Sequence, residues 1–186
     1  MTIEPRDDCD TDIPDWPVVH PESFGRIVRR YQRSIFGFFG RMGFGQTDTE
    51  ELAQETFLRA WRHRDGYDPA RARVSTWLFA IAHRVALDEF GRRGRRPALT
   101  ADMPDQCDDN PYADPAARLA FNQRLSQLQA ALGLLSESER SVIALSSVAE
   151  LSATEAADLL GCTAGAYRTR LSRARERLLG LLNQEE

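Results

Sequence analysis

The sequence predicts an all-α protein with two small helical domains, joined by a flexible acidic linker. Apolar residues recur at helical spacing, and no stretch alternates apolar and polar residues over the length of a strand. Prolines and aspartates concentrate in residues 1–20 and 98–116, which we predict to be a flexible acidic tail and the linker. The two domains are therefore expected over residues 21–97 and 117–186.

Three helices are predicted in the first domain. The first is expected over residues 22–40, before the break at Gly43-Phe44-Gly45. The second is expected to start near Thr47 or Asp48 with a cap completed by Glu50 or Glu51, and to run to about residue 63. Its buried stripe is predicted to be Ala53, Phe57, Ala60 and Trp61. Ser75 is expected to cap a third helix over residues 76–90.

Four helices are predicted in the second domain, over residues 117–133, 137–149, 152–160 and 163–182. Two starts carry a capping box, a serine followed three residues later by a glutamate: Ser136 with Glu139 and Ser152 with Glu155. Gly161 is expected to end the third of these helices, and Thr163 to cap the last. The expected inward positions of the last helix are Tyr167, Leu171, Ala174 and Leu178.

The charge distribution favours nucleic-acid binding by parts of the chain. The net charge is −4, but residues 21–98 carry fifteen arginines against nine acids. The last helix carries Arg168, Arg170, Arg173, Arg175 and Arg177 against the single acid Glu176. Two short helices with a tight turn and a basic second helix are typical of a motif that enters the DNA major groove.

Other classes of protein find little support. No apolar stretch approaches the roughly 20 residues that span a membrane, and the acidic start does not resemble a signal peptide. The three cysteines are isolated and the three histidines scattered, so we expect no metal site and no disulfide framework. A cytoplasmic protein without a cofactor is the simple expectation.

Motifs in both halves together resemble one family. Residues 50–61 and 75–84 lie in the front half, and residues 135–145 precede the helix-turn-helix of residues 152–175. They are similar to bacterial RNA polymerase sigma factors of the sigma-70 family, in the extracytoplasmic-function (ECF) group. The resemblance covers about residues 22–96 and 118–182. It implies a front domain called region 2 and a back domain called region 4.

The resemblance implies a function without catalysis of its own. Such a protein binds core RNA polymerase, through the clamp of the largest subunit and the flap of the second largest, and directs it to promoter DNA. Region 2 would contact the −10 element and help to melt it, and region 4 would contact the −35 element. An anti-sigma factor is a possible further partner.

The resemblance also implies three sets of contact residues. For the −35 element these are Arg168, Thr169, Arg170, Ser172 and Arg173. For the −10 element they are Arg71, Arg73, Trp77, Arg84, Arg92 and Arg93. For core polymerase, on the helix around residues 48–61, they are Asp48, Glu51, Leu52, Gln54, Glu55 and Arg59. The family often has asparagine where this chain has Arg84.

Simpler interpretations remain open for these residues. Trp77 also fits a core position, a charged helix face can be only solvated, and a basic helix occurs on many proteins. The alternative function is a stand-alone helix-turn-helix regulator that binds DNA without polymerase. A nucleic-acid enzyme is disfavoured because clustered carboxylates or metal ligands are absent from the sequence.

Overall fold

The computed structural model describes residues 21–93, 115–148 and 151–183, with side chains for 24–93, 123–148 and 151–183. These residues form seven α-helices and one 3₁₀ turn (Arg64–Gly66), without a strand among them. The helices are α1 (Pro21–Arg41), α2 (Gln46–His63), α3 (Val74–Arg93), α4 (Pro115–Gly133), α5 (Glu137–Ser146), α6 (Ala153–Leu159) and α7 (Ala164–Leu182). The all-α prediction is confirmed.

The first three helices pack around an aromatic core. The apolar stripe of α1 is fully buried and consists of Ile27, Tyr31, Ile35, Phe38 and Phe39. The ring of Phe38 meets those of Phe39 and Phe79 edge to face, with centroids 5.4 and 5.7 Å apart. Such buried aromatic contacts anchor α3 against α1 and contribute more than their buried area alone.

Two predicted helix caps in this bundle are wrong. The N-cap of α2 is Gly45, which makes no side-chain cap, and the helix starts one residue before Thr47. Ser75 does not cap α3 but lies inside it, because the first turn already closes from the amide of Trp77 to the carbonyl of Arg73. The hydroxyl of Ser75 is buried without a hydrogen-bond partner among the described residues.

Two predicted helix ends also differ. Helix α3 continues past Gly91 to Arg93, because Glu89 pairs with both Arg92 and Arg93 across the last turn. Helix α5 ends at Ser146, three residues early. The hydroxyls of Ser146 and the following serine donate to carbonyls three residues earlier, at 2.8 and 2.7 Å, which competes with continuation of the helix.

The helix-turn-helix forms as predicted. Both capping boxes are present, at Ser136 and Ser152. Gly161 has a positive φ of 63°, a conformation that glycine adopts without strain, and ends α6. The hydroxyl of Thr163 accepts from the amide of Ala166 to start α7. The hydroxyl of the buried Tyr167 donates to the carbonyl of Val142 at 3.3 Å, which fixes α7 against α5.

The two helical halves contact each other. Helix α1 packs against α5, α3 packs against α5 and α6, and the buried apolar residues of both halves form one continuous cluster. Residues 1–20 and most of the predicted linker lie outside the described residues, whereas Pro115 and Ala116 belong to α4. No described helix is both long and apolar enough to cross a membrane.

Candidate nucleic-acid interface

The outward face of α7 presents all five residues predicted for the −35 element. Each of them is exposed: Arg168, Thr169, Arg170, Ser172 and Arg173. The hydroxyl of Thr169 donates to the carbonyl of Gly165 at 3.0 Å, and that of Ser172 to Glu176 at 3.2 Å. Within the described part of the chain, the three arginines make no hydrogen bond or ion pair. Their guanidinium donors therefore stay available to an external acceptor.

The remaining arginines of α7 have structural partners, which the sequence did not indicate. Arg177 donates to both carboxylate oxygens of Glu139, at 3.1 and 3.0 Å, and to the carbonyl of Leu134. Arg175 donates to the hydroxyl of Ser146 at 3.3 Å. The basic charge of α7 is thus divided between a free N-terminal half and a half that holds α7 to α5.

Gly165 lies in the first turn of α7, on the same outward face. A Cβ added there would have only the Thr163 hydroxyl nearby, at 4.0 Å. The described part of the chain therefore imposes no steric need for glycine at this position, although glycine costs about 1 kcal/mol against alanine in a helix.

The residues predicted for the −10 element lie along α3 and the loop before it. Arg71 and Arg84 are exposed, without side-chain partners in the described ranges. Trp77 is half-buried against Tyr67, with ring centroids 5.1 Å apart. The hydroxyl of Tyr67 donates to the carbonyl of Ala72 at 2.9 Å, which shapes the loop. Trp77 therefore supports this surface from its half-buried position.

Three arginines of this set are engaged within the chain. At the far end of α3, Arg92 and Arg93 pair with Glu89, and Arg93 also pairs with Asp48. At the near end, Arg73 donates to both oxygens of Glu155 at the start of α6. This last pair could not be predicted from the sequence, because its members lie 82 positions apart.

The carboxylate of Glu155 accepts hydrogen bonds from three residues. Besides the bonds from Arg73, it accepts from the hydroxyl of Thr76 at 2.8 Å, and from the hydroxyl and amide of Ser152 at 2.6 and 2.8 Å. Partial burial alone would raise the pKa of Glu155, but the hydrogen bonds from Arg73, Ser152 and Thr76 outweigh it and lower the pKa to about 2.

The face of α2 predicted to contact polymerase is mostly accessible. Glu51 and Gln54 are exposed. Arg59 bridges Glu55 and Asp88 through two hydrogen bonds of 2.7 Å, which raise the pKa of Arg59 and hold all three side chains in place. Leu52 is only 6% exposed, so its side chain supports this face from beneath.

An apolar groove lies beside this face, between α1 and α2. It has a volume of about 480 Å³, and its apolar lining includes Phe24, Val28, Phe36, Phe57, Leu58 and Trp61. Phe57 and Trp61 were expected in the buried stripe of α2, but they are half-exposed because Leu52 and Thr56 occupy that stripe instead. Phe36 and Leu58 are 41% and 42% exposed. The sequence did not predict the groove, since it needs the packing of α1 to form.

No metal-binding constellation accompanies these surfaces. Within residues 21–93, 115–148 and 151–183, no three side chains of His, Cys, Asp or Glu cluster in a way that could hold a metal ion. The surfaces thus offer charge, hydrogen-bond donors and an apolar groove, which are means of binding.

Each half of the chain matches a known protein family. Residues 27–96 match the family described as Sigma-70 region 2, and residues 125–178 match Sigma-70, region 4. The chain is 30% identical over 169 residues to RNA polymerase sigma factor CnrH of Cupriavidus metallidurans, covering 88% of each chain. It is 26% identical to ECF RNA polymerase sigma factor SigM of Bacillus subtilis, over 85% of this chain and 94% of that protein.

A solved structure supports the same fold. The structure of CnrH in complex with the cytosolic domain of CnrY superposes with a TM-score of 0.67 at 28% identity. The match covers 95% of this chain and 96% of that chain, so it extends over both helical halves.

Proposed function

Because this chain belongs to the ECF group of the sigma-70 family of RNA polymerase sigma factors, we propose that its two halves divide the promoter between them. The chain directs RNA polymerase to promoters. In our proposal, residues 21–97 act as region 2 and residues 117–186 as region 4, with residues 98–116 as the linker. The chain acts in the cytoplasm, through the polymerase and without catalysis of its own.

The observation that carries this proposal is the division of arginines on α7. Arg168, Arg170 and Arg173 are exposed without partners in the described ranges, whereas Arg175 and Arg177 hold α7 to α5. A free basic N-terminal half on a rigidly held helix suits entry into the major groove, where arginine can pair bidentately with guanine. We therefore assign the −35 element to this face, with Thr169 and Ser172 as further contacts.

The −10 element falls to α3 and its preceding loop. Arg71 and Arg84 present free guanidinium groups there, and Trp77 packs against Tyr67 of the preceding loop. Arginines suit a single strand because they contact phosphates and stack on bases. Arg73 joins this set once it is released from Glu155, and Arg92 and Arg93 add positive charge at the end of α3.

Core polymerase is proposed to dock on α2. One continuous surface combines the exposed acids and amide of this face, the Glu55–Arg59–Asp88 network and the apolar groove. The buried Leu52 side chain takes no direct part.

CnrH was solved with the cytosolic domain of CnrY, and we propose that an anti-sigma factor of this chain would compete with polymerase for the same surface.

Run-off transcription on genomic fragments tests the function directly. Core polymerase should initiate at specific sites only when the chain is added. A tight, specific DNA complex of the chain alone would instead support the stand-alone regulator.

A pair of leucine variants tests the docking surface. Leu58→Asp should weaken binding to core polymerase about tenfold, because it places a charge in the groove. Leu87→Asp is the matched control, since Leu87 on α3 is 41% exposed against 42% for Leu58. Equal affinity of the two variants would contradict docking at the groove.

A further inference from the structure

We propose that region 4 binds the −10-contacting segment of its own chain through Glu155, and that single-stranded promoter DNA competes with Glu155 for Arg73. Arg73, Thr76 and Glu155 are called the interdomain latch below. The competition rests on the proposed role of Arg73 at the −10 element, whereas the latch itself rests on contacts within the chain.

The latch joins the start of α6 to the start of α3. Arg73 donates to both oxygens of Glu155, through Nε at 2.8 Å and through Nη2, in the two-pronged geometry that guanidinium and carboxylate groups favour. Thr76 donates to the same carboxylate at 2.8 Å. The Glu155 side chain is only 23% exposed, although that of Arg73 is 50% exposed. The Glu155 carboxylate thus uses the donors of Arg73 that a phosphate would need.

A neutral hydrogen bond supports the same interface. The hydroxyl of Ser141 on α5 donates to the carbonyl of Glu137 at 2.8 Å, so its proton is already used. Nε2 of His83 on α3 lies 3.1 Å from the same hydroxyl oxygen, and it donates to that oxygen in the tautomer that carries the proton on Nε2. Burial lowers the pKa of His83, which favours this neutral form.

At the other end of the interface, α5 contributes a partly buried arginine. Arg140 of α5 lies over the ring of Phe90, 4.4 Å from its centroid, and its buried Nε has no hydrogen-bond partner in the described part of the chain. Burial lowers the pKa of Arg140; the nearby Glu137 opposes this effect and Arg93 adds to it. The unsatisfied Nε carries a desolvation cost, which the cation–π contact with Phe90 offsets in part. The latch is therefore the charged, hydrogen-bonded part of an interface whose other end leaves one buried donor unsatisfied.

The chain contains a matched control for the latch. Glu155 and Glu139 hold equivalent capping boxes, and each accepts hydrogen bonds from an arginine. The arginine partner of Glu155 belongs to region 2, whereas Arg177, the partner of Glu139, belongs to region 4. Glutamine can replace glutamate in a capping box. Glu155→Gln and Glu139→Gln therefore make the same chemical change, and only the first affects the contact between the halves.

The test uses the full chain, free of polymerase. Amide hydrogen exchange at the starts of α3 and α6 measures opening, and a random pool of single-stranded oligonucleotides measures DNA affinity. Glu155→Gln should speed exchange at both places and raise DNA affinity about three- to tenfold, because the closed form no longer withholds Arg73. Glu139→Gln should leave both quantities at their wild-type values.

Variants of the arginines separate opening from DNA contact. Arg73→Gln should speed exchange as Glu155→Gln does, but should not raise DNA affinity, because the contacting group is gone. Arg71→Gln should lower DNA affinity while exchange stays at the wild-type rate. Circular dichroism checks that each variant keeps its helices.

Two results would overturn the proposal. Exchange in Glu155→Gln equal to that in Glu139→Gln would show that the pair does not hold the halves together. Faster exchange without a gain in DNA affinity would show that Glu155 and DNA do not compete. Failure of the wild-type chain to support run-off transcription would count against the proposed function instead, and would leave the exchange result for the latch intact.

Discussion

Replacing Arg173 with alanine removes an exposed guanidinium that has no intramolecular partner in the described ranges. The folded chain should lose almost no stability, within about 0.5 kcal/mol, because surface substitutions without contacts rarely matter more. On the preferred −35 element the loss should be about 1–3 kcal/mol, the value of one bidentate pair with a base, or roughly 5- to 150-fold in affinity.

Arg177→Ala should instead lower folding stability and leave DNA sequence preference unchanged. Arg177 makes two hydrogen bonds to Glu139 and one to the carbonyl of Leu134, but its side chain is 54% exposed. Solvent screening limits such a pair to about 0.5–1 kcal/mol of unfolding free energy. Sequence preference on DNA should not change, because this side chain is turned toward α5.

Two measurements separate these variants. Holoenzyme binding across a library of −35 elements at two salt concentrations gives affinity and preference, and urea unfolding of the free chain gives stability. An Arg173→Ala protein with unchanged sequence preference would refute the assignment of this face to the DNA groove. A change of preference in Arg177→Ala, without loss of stability, would refute the division of the α7 arginines.

Two further predictions concern the fold. The pKa of Glu155 is lowered from 4.5 to about 2, so its contribution to folding stability should be complete above pH 4.5 and be lost as the pH falls toward 2. The full shift is worth about 3 kcal/mol, which solvent screening at the half-exposed Arg73 reduces to about 1–2 kcal/mol. Urea unfolding of wild type and Glu155→Gln between pH 2 and pH 6 measures the difference. Gly161→Ala should cost about 1–2 kcal/mol, since its φ is 63° while no atom crowds a Cβ there, and thermal unfolding that shows no loss would contradict the strain argument.

The sequence predicted the local features well. Helical periodicity located all seven helices, and both capping boxes form because the serine and glutamate that build them are three residues apart. The exposed face of α7 followed from the same periodicity, since Tyr167 and Ala174 fix which side is buried.

Features that depend on distant residues could not be predicted in this way. The start of α3 is set by the backbone before Ser75 and not by its hydroxyl. The groove requires α1 to pack beside α2, and the pairing of Arg73 with Glu155 requires both halves to meet. Periodicity carries no information on such contacts, because it describes one helix at a time.

The groove between α1 and α2 leaves apolar surface exposed to solvent in the free protein. Phe36 and Leu58 keep two-fifths of their surface in water, and a net charge of −4 gives only modest repulsion between molecules. If polymerase docks on this surface as proposed, the free chain should self-associate more readily than the bound chain. Production together with a partner that covers the groove should therefore raise the yield of monomeric protein.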